Sequence, residues 1–593
     1  MTFIKNISLG CFSLIMPLLL IFSAPPASAQ PPAEHVDYVA GIEQYASEPF
    51  LKFKPSIPQV MLVLERDWKI FYPAYNNIAD LNGDQTIDNG FNPAITYIGY
   101  YDVDSCYVND GDKFYRIGAT TPQTHENVMA LRPSQLNHNI SSPPSAHGVC
   151  PGTSSTGTGT SAKWSGNWLN YALTSRMDAI RKVLYGGKRV TDTQTKSGVK
   201  GVTILEPSYT PSNAFAWGNE IVSDQLWNSH APDSPWYPSE LYTGLTRPTG
   251  KFMHFFAKVD HASYGQHVAK SAKPLMRILL NVDSNFLHPI SQTPVRYWDW
   301  VYGQNIIPND LNMPSSATKI SMGIRVQVCK ADSISPTEGC WLYGNDYKPI
   351  GLLQQHGERG NMQFGLMTAT ASNTVCTSGA SSVYDGRCND KGGVLRHHIQ
   401  RLSGTAINST TGAIIPDGLI GTIDKLELAD YVDAPQQYHF STFANSGNPV
   451  GEMVLETLRY LSGATAGLPA YNTATTELLG LKKANWGQRP PEPAEDCTKP
   501  IILVISDIFP TYDGNDIPTA AQLSAPKLKE LSQVAMPSAW SMRDYLEKIT
   551  NLEGYRTSGR QYYYPKTSES QNVRGLCVAK DFTAGLSLAD IRG

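Results

Sequence analysis

The sequence is poor in charged residues and has no excess of basic ones. Charged residues make up 17% of its 593 positions, and 48 Lys and Arg stand against 52 Asp and Glu, for a net charge of −4. A nucleic-acid-binding surface needs clustered positive charge, so this balance argues against a nucleic-acid partner. Gly, Pro and Tyr are plentiful, at 48, 41 and 30 residues, which is typical of a loop-rich exported protein.

Complete motifs of common enzyme classes are also missing. The sequence contains no full GxGxxG, P-loop, HExxH or GxSxG motif, and nothing in it resembles a hydrolase triad. No pair of cysteines has the CxxC spacing, which argues against a zinc site. Beyond the first residues no segment is long and apolar enough to span a bilayer.

The amino-terminal residues predict export. One Lys lies in Met1–Asn6, the apolar segment Ile7–Ala24 follows, and the small residues Ala27–Ala29 precede Gln30. This order is that of a secretory signal peptide over residues 1–29. A transmembrane anchor is the alternative, and the short apolar run argues against it.

Eight of the nine cysteines remain once Cys11 is removed with the signal. An even number in an exported chain predicts disulfides, although eight cysteines allow about 105 pairings. Locality favours pairing between neighbours along the chain. These pairs are Cys106–Cys150, Cys329–Cys340, Cys376–Cys388 and Cys497–Cys577.

Two apolar segments predict strands that are buried on both faces. Ile501–Ile505 is a continuous β-branched run, and Pro58–Leu64 is its counterpart near the start of the chain. Both are followed by acids, Asp507 in one case and Glu65–Asp67 in the other. In an open α/β sheet the functional crevice lies at the carboxyl ends of the strands, so these acids are candidate site residues. The alternative is that they only cap the helices that follow.

The other elements alternate between strand and helix, which predicts a doubly wound α/β domain. His397 and His398 are adjacent on a predicted strand and therefore point to opposite faces, which argues against a shared metal. Asn448 is the predicted N-cap of its helix, and Pro449 the first helical residue. The remaining predictions are strands at Phe91–Asn109, Asn361–Thr370 and Gly392–Ile399, and helices at Trp168–Leu184 (ended by Gly186), Val450–Leu461 and Ser541–Asn551.

The predicted domain organisation interrupts this α/β domain with a large insertion. Residues 1–29 are the signal and 30–56 an amino-terminal segment. Residues 57–189 form the first part of the domain, with a Gly/Ser/Thr-rich linker, and 356–593 form the second. Residues 190–355 are an insertion of β and irregular structure, whose aromatic loops either bind a partner or form a local core.

Alternate positions from Asp80 to Asp88 carry possible oxygen ligands. Calcium loops of the EF-hand and dockerin kind have this spacing, because only every second side chain faces the ion. Gln85 stands where a turn glycine is usual, and Phe91 where a bidentate Glu would close the site. The spacing predicts calcium, with a plain polar turn as the alternative. The ligands would be Asp80, Asn82, Asp84, the carbonyl of Thr86, and Asp88.

Three loops resemble those of a von Willebrand factor type A domain: a buried strand ending in acids, a helix opening at Asn-Pro, and a strand ending in Ser-Asp. Further segments resemble the amino-terminal part of the PilY/PilC family of type IV pilus assembly and tip-associated adhesins, over about Ile57–Gly593. They are Trp164–Arg189, with its GNWLNY and KVLYGG runs, Gly447–Gly463 and Ile501–Ile517. The resemblance implies an exported, non-enzymatic pilus biogenesis factor or adhesin, presented from the periplasm at the cell surface or pilus tip.

The metal site that such loops normally form is degenerate here. The usual Asp-x-Ser-x-Ser positions read Glu65, Asp67 and Lys69, the second-loop Thr is replaced by Asn448, and the third-loop acid survives as Asp507. Magnesium needs several small oxygen ligands in tight geometry, so we expect none here. Our hypothesis is that the Lys69 ammonium substitutes for the magnesium ion among these acids. The alternative is that Lys69 points to solvent.

The resemblance also implies further strands and a β-propeller beyond residue 593, so the domain is expected to be incomplete at its carboxyl end. Either a separate chain completes the sheet or the reading frame is truncated. Expected partners are minor pilus subunits or the pilus tip, and a host or abiotic surface. The alternatives are a calcium-stabilised exported enzyme or glycan-binding protein, and a remnant of a longer adhesin.

Overall fold

The computed structural model describes these parts of the chain: residues 57–75, 80–81, 88, 90–92, 95–117, 163–208, 217–222, 245, 252–261, 273–283, 318–332, 334–358, 362–370, 392–427, 448–471, 480–488, 500–507, 562–565 and 577–580. The chain divides into two units, Met1–Ile517 and Pro518–Gly593. The predicted signal segment and the predicted helix Ser541–Asn551 lie outside the described residues. Among the described residues, no helix is long and apolar enough to cross a membrane.

The described strands, in chain order, are β1 (Gln59–Leu64), β2 (Cys106–Asn109), β3 (Lys113–Ile117), β4 (Trp164–Ser165), β5 (Arg189–Asp192), β6 (Thr203–Leu205), β7 (Trp217–Val222), β8 (Phe252–His261), β9 (Lys273–Asp283), β10 (Thr318–Gly323), β11 (Arg325–Val328), β12 (Cys340–Tyr343), β13 (Asp346–Pro349), β14 (Gln363–Thr368), β15 (Val394–Gln400), β16 (Pro500–Ile505), β17 (Tyr562–Pro565) and β18 (Cys577–Lys580). The α-helices are α1 (Gly166–Leu173), α2 (Arg176–Tyr185), α3 (Leu419–Asp424) and α4 (Val450–Leu461). Short 3₁₀ turns cover Trp68–Phe71, Pro336–Glu338 and Pro469–Tyr471, and a π turn covers Gln354–Glu358.

The sheet that carries the predicted site has the strand order β15-β14-β1-β16. β1 pairs in parallel with β14 on one side and β16 on the other, while β15 is antiparallel to β14. Leu366 of β14 packs in one apolar cluster with residues of α2 and α3. The next residue, Met367, points to the opposite face, where α4 lies across all four strands. Helices on both faces of a mostly parallel sheet confirm the α/β prediction.

The strands between residues 189 and 349 build other sheets, one of them together with the earlier strands β2, β3 and β4. β7 to β10 form an antiparallel sheet in the order β10-β9-β8-β7, and a six-stranded sheet has the order β4-β2-β3-β11-β6-β5. An aromatic cluster that includes Trp164, Trp168 and Phe256 connects these sheets to α1. This part of the chain was predicted to contain β structure, and its described residues are mostly strand. In the carboxyl-terminal unit, β17 and β18 pair antiparallel.

The prediction of one helix over Trp168–Leu184 is wrong. The backbone is extended at Thr174, and Ser175 starts a new helix. The Ser175 hydroxyl accepts the amide of Asp178, whose carboxylate in turn accepts the amide of Ser175. This capping box satisfies amides that would otherwise lack partners, so it favours a second helix start over continuation. Gly186, with φ 92°, ends α2 as predicted.

Two strand predictions also need correction. Of the predicted strand Phe91–Asn109, only Cys106–Asn109 is a described strand. Ile501–Ile505 forms β16 but is not buried on both faces. Ile501, Leu503 and Val504 are 48%, 44% and 40% exposed, since none of the described strands pairs with the outer edge of β16.

Candidate functional site at the carboxyl edge of the sheet

The predicted site lies where the order of the sheet reverses. The chain runs from β1 to β14 and β15 on one side, and then returns to add β16 on the other side of β1. At such a switch point the loops after adjacent strands diverge and leave a crevice outside the strand ends. Glu65 leaves the end of β1, and Ser506 and Asp507 leave the end of β16.

The Glu65 carboxylate joins the ends of these two strands. Its Oε1 accepts the backbone amide of Asp507 at 2.7 Å, and its Oε2 accepts the hydroxyl of Ser506 at 3.1 Å. The Glu65 amide donates to the carbonyl of Ile505 as the last regular bond between the strands. In a parallel pair the next bond would run from the Asp507 amide to a backbone carbonyl. The carboxylate takes the place of that carbonyl and extends the pairing beyond β1.

Burial raises the pKa of Glu65 to about 7. Loss of solvation is the largest cause, and the nearby charges of Asp67 and Asp507 add to it, whereas the hydrogen bonds from the Asp507 amide and Ser506 oppose it. A carboxyl in this environment changes its protonation near neutral pH. Protonation of Glu65 therefore affects the hydrogen bonds that connect the end of β1 to the end of β16.

The third loop of the site contributes Asn448. Its side-chain amide nitrogen donates to the Ser506 hydroxyl at 2.8 Å and to the Asp507 carbonyl at 3.4 Å. The prediction that Asn448 caps α4 is wrong, because Pro449 is the N-cap residue and the helix begins at Val450. Instead of capping the helix, the Asn448 side chain forms hydrogen bonds with the residues that follow β16.

Asp67 lies in the loop after β1 and contacts the backbone of Lys69. The Asp67 carboxylate accepts the backbone amide of Lys69 at 3.0 Å and caps the 3₁₀ turn Trp68–Phe71. The capping alternative therefore holds for Asp67. The pairing of the Lys69 ammonium with the acids stays a prediction. A cation that the sequence did not indicate is Arg176 at the start of α2, whose guanidinium lies 3.8 Å from the Asp507 carboxylate.

These residues do not fit a magnesium site. Both oxygens of Glu65 already accept hydrogen bonds, and Asn448 presents its amide nitrogen to Ser506. The guanidinium of Arg176 stands beside the Asp507 carboxylate. Magnesium requires converging oxygen ligands, whereas this cluster is held together by hydrogen-bond donors and a positive charge.

The predicted calcium loop is described only at its ends. The amide of Leu81 donates to the Asp88 carboxylate at 2.7 Å, which closes the loop at its base. Asp80 is also described, whereas Asn82, Asp84 and Thr86 lie outside the described residues. Calcium binding stays a prediction.

Cys329 and Cys340 form a disulfide, with their Cα atoms 5.7 Å apart, as neighbour pairing predicts. Cys106 is also disulfide-bonded. Glu338 lies close to both sulfurs of the Cys329–Cys340 bond, but those sulfurs are bonded to each other and the group is no metal site. Cys150, Cys376, Cys388, Cys497 and the side chain of Cys577 lie outside the described residues.

The two adjacent histidines of β15 point to opposite faces of the sheet, as predicted. His397 contacts the hydroxyl of Thr422 in α3 at 2.8 Å. His398 contacts the hydroxyl of Tyr460 in α4 at 3.1 Å. Burial lowers the pKa of His397 to about 4, with the charges of His398 and Arg396 adding to the effect. These histidines connect the sheet to its helices.

Comparisons with known proteins find two matching family models. A family model described as PilY1 homolog, second domain, matches residues 383–593, which include Asn448 and Asp507. A model described as PilY1 homolog, small alpha/beta domain, matches residues 144–260. No solved structure matches the chain.

Two curated relatives, both from Xylella fastidiosa, are named type IV pilus biogenesis factor PilY1 homolog. One is 31% identical over 497 residues, which is 76% of this chain and 28% of the relative. The other is 25% identical over 298 residues, 49% of this chain and 18% of the relative. The sheet and the helices on its two faces thus define an α/β protein. The chain belongs to the PilY1-like family and spans less than a third of the length of these relatives.

Proposed function

We propose that this chain is an exported pilus component that mediates surface attachment or pilus extension and performs no catalysis. Its relatives are named type IV pilus biogenesis factors, which supports a role in the same system. The expected partners are minor pilus subunits or the pilus tip on one side and a host or abiotic surface on the other.

The observation that carries this proposal is the hydrogen-bonded join at the crevice. Three loops distant in sequence meet through Glu65, Asn448 and Ser506. In von Willebrand factor A-like adhesion domains the corresponding loops hold a metal that contacts the ligand. We propose that this domain is A-like and that hydrogen bonds and Arg176 fix its loops, so that the edge binds its partner without magnesium.

The same contacts support a non-catalytic role. General acid–base catalysis requires a carboxyl or another titrating group that can reach the substrate. Here both oxygens of Glu65 hold the end of β16, and the Asp507 carboxylate stands beside the Arg176 guanidinium. In this proposal the raised pKa of Glu65 therefore affects the hydrogen bonds between the ends of β1 and β16 and has no catalytic role.

The test is carried out in the native host. The gene is deleted, and the strain is complemented with the wild-type chain, with Glu65→Ala, or with Glu220→Ala as a control at an exposed position. Pili are sheared from the surface and blotted for this chain beside the periplasmic and membrane fractions. We expect the wild type and the control to restore piliation or attachment and to travel with sheared pili, and Glu65→Ala to restore neither fully.

Magnesium dependence is measured in the same strains. Attachment by the wild-type chain is expected to persist in a chelator-treated buffer to which only calcium is restored. A requirement for magnesium would overturn the metal-free adhesion face, and unchanged piliation and attachment in the deletion strain would overturn the pilus role. Hydrolysis of model glycan or peptide substrates by the purified chain would favour the enzyme alternative.

A further inference from the structure

A cavity of about 290 Å³ lies beside the first residues of β15. One of its walls is formed by Gly393 and the start of β15, and another by the turn after α4, which contributes Thr465 and Leu468. A third wall belongs to a later segment that contains Lys483 and Trp486. Cavities that hold drug-sized ligands measure about 300–1,000 Å³, so this one fits a smaller guest, of about one sugar ring.

The backbone of Gly393 presents a hydrogen-bond donor and an acceptor to this cavity. The carbonyl of Leu395 accepts the amide of Ala484, so the peptide groups of Leu395 point away from β14. Peptide groups two positions apart point the same way along a strand, so the N–H and C=O of Gly393 also point outward. Neither group forms a hydrogen bond with another of the described residues. A guest that both donates and accepts hydrogen bonds would satisfy them.

The aromatic wall of the cavity is held in place by α4. The ring of Trp486 packs edge-to-face against Tyr460, with their centroids 5.7 Å apart, and the Arg459 guanidinium lies 5.7 Å from the centroid of the Trp486 ring. Arg459 in turn pairs with one oxygen of Glu456, whose other oxygen accepts the amide of Leu468 at 3.0 Å. The wall is therefore formed before a guest enters, which lowers the cost of ordering side chains on binding.

The outer edge of β15 has no room for a peptide strand that runs past Gly393. Ala484 already occupies this edge at Leu395, so such a strand would collide with Ala484. The guest therefore has to be compact. A pyranose sugar meets this requirement, because two hydroxyls on neighbouring ring carbons lie close enough together to contact the N–H and C=O of one extended residue. A hydroxyl can donate as well as accept, so one accepts from the N–H while the other donates to the C=O.

We propose that this cavity binds one neutral pyranose residue of a glycan. Two neighbouring hydroxyls of the sugar bond the N–H and the C=O of Gly393. The C–H groups of the ring pack against the indole of Trp486, and a further hydroxyl accepts a hydrogen bond from the Lys483 ammonium, which has three donors. The residues that line the cavity are different from those of the crevice. The inference does not rest on the proposed pilus function.

Ligand-observed NMR on the purified chain is the first measurement. The probes are the methyl glycosides of glucose, galactose and mannose, and acetyl-glycine methylamide represents a peptide backbone. We expect at least one of the three sugars to bind and the peptide probe not to bind. Binding of the peptide probe alone would assign the cavity to a polypeptide, and binding of none of the probes would mean that it holds no such ligand. Either result overturns the proposal.

The second measurement locates the bound sugar by residue-resolved amide hydrogen exchange. We expect exchange at the Gly393 amide to be fast in the free chain. When about nine-tenths of the sites are filled, it should slow by about tenfold, because only the unliganded fraction exchanges. Unchanged exchange at Gly393 while the sugar binds would place the sugar elsewhere and overturn the proposed site.

Substitutions in the walls connect binding to the cavity. Trp486→Phe reduces the aromatic wall and Lys483→Ala removes a donor, and each is expected to raise the dissociation constant of the sugar by about threefold or more. The matched control is Lys482→Ala at the next position, where the side chain is 64% exposed, pairs with Asp417 and does not line the cavity. It should leave binding unchanged. Equal effects at Lys482 and Lys483 would contradict a specific site. Two wall substitutions are used so that a folding defect in one does not decide the result.

Discussion

The Glu65 carboxylate binds the Asp507 amide at 2.7 Å across 442 positions of sequence. The side chain of the first residue after β1 thus holds the backbone of the second residue after β16. Glu65 has its pKa raised to about 7, so this join responds to pH in the neutral range. Disruption at either residue should be measurable in the stability of the whole sheet.

The first prediction is that Glu65 makes stability fall as pH rises. An unfolded Glu titrates near 4.5, whereas Glu65 in the folded chain titrates at about 7. Between these values the folded state binds more protons than the unfolded state, so the free energy of unfolding decreases with pH, by about 3 kcal/mol at most. The measurement is urea denaturation from pH 4.5 to 8.

Glu65→Gln removes the titration and should flatten this slope. Asp424 is buried and its pKa is raised to about 6, so it contributes a slope of the same sign that remains in the variant. The control is Glu220→Gln, at an exposed position, which should leave the profile unchanged. The same slope in Glu65→Gln and wild type would contradict the raised pKa.

The second prediction concerns Asn448. Asn448→Ala removes the hydrogen bonds to the Ser506 hydroxyl and the Asp507 carbonyl in a buried setting. We expect a loss of about 1–3 kcal/mol in the free energy of unfolding. The matched control is Asn485→Ala, where the side chain is exposed and its oxygen accepts the nearby amide of Gly487. A cost no larger than that of the control would mean that the third loop is not held by Asn448.

The third prediction concerns the Cys329–Cys340 disulfide, which closes a loop with a sequence separation of 11. Replacing both residues by Ser should lower the free energy of unfolding by about 3 kcal/mol, since a loop of this length gains that much freedom in the unfolded chain. Denaturation under non-reducing conditions measures the difference. Mass spectrometry that finds free thiols at both positions in the native protein would contradict the pairing.

The fourth prediction concerns the calcium loop. If Asp80 to Asp88 bind calcium, the ion stabilises the folded chain by about 2.7 kcal/mol at a concentration one hundredfold above its dissociation constant. Thermal unfolding with calcium and with chelator measures this shift. Asp84→Ala should abolish the shift, while Asp332→Ala, at an exposed position, should preserve it. A shift that survives Asp84→Ala would locate the ion elsewhere.

The sequence predicted the parts of the sheet that follow from local pattern. Continuous apolar runs indicated β1 and β16, and the rule for strand ends brought Glu65 and Asp507 to one edge. The loop resemblance added Asn448 to them. The predictions of the two strands and of their shared edge depend only on periodicity and on the geometry of parallel strands.

Other features depend on contacts between distant residues. Arg176 completes the crevice, but an arginine that opens a helix is common and indicates no partner. Ser506 belongs to the Ser-Asp strand end that the loop resemblance includes, but its contacts with Glu65 and Asn448 were not predicted. The exposure of β16 depends on which strand lies beside it, which its own composition does not reveal. The break between α1 and α2 did have a local signal, because Ser175 and Asp178 have the spacing of a capping box.

The pairing of β1 with β14 has a consequence for how the protein forms. Gln59 and Gln363 are partners in the sheet but lie 304 positions apart. A ribosome adds about 5–20 residues per second, so β1 emerges about 15–60 s before its first partner strand exists. Contacts between such distant positions also slow folding, because a large loop has to close first. The apolar segment Val60–Leu64 therefore needs protection during synthesis, and a holding chaperone that shields it would determine the yield of folded protein.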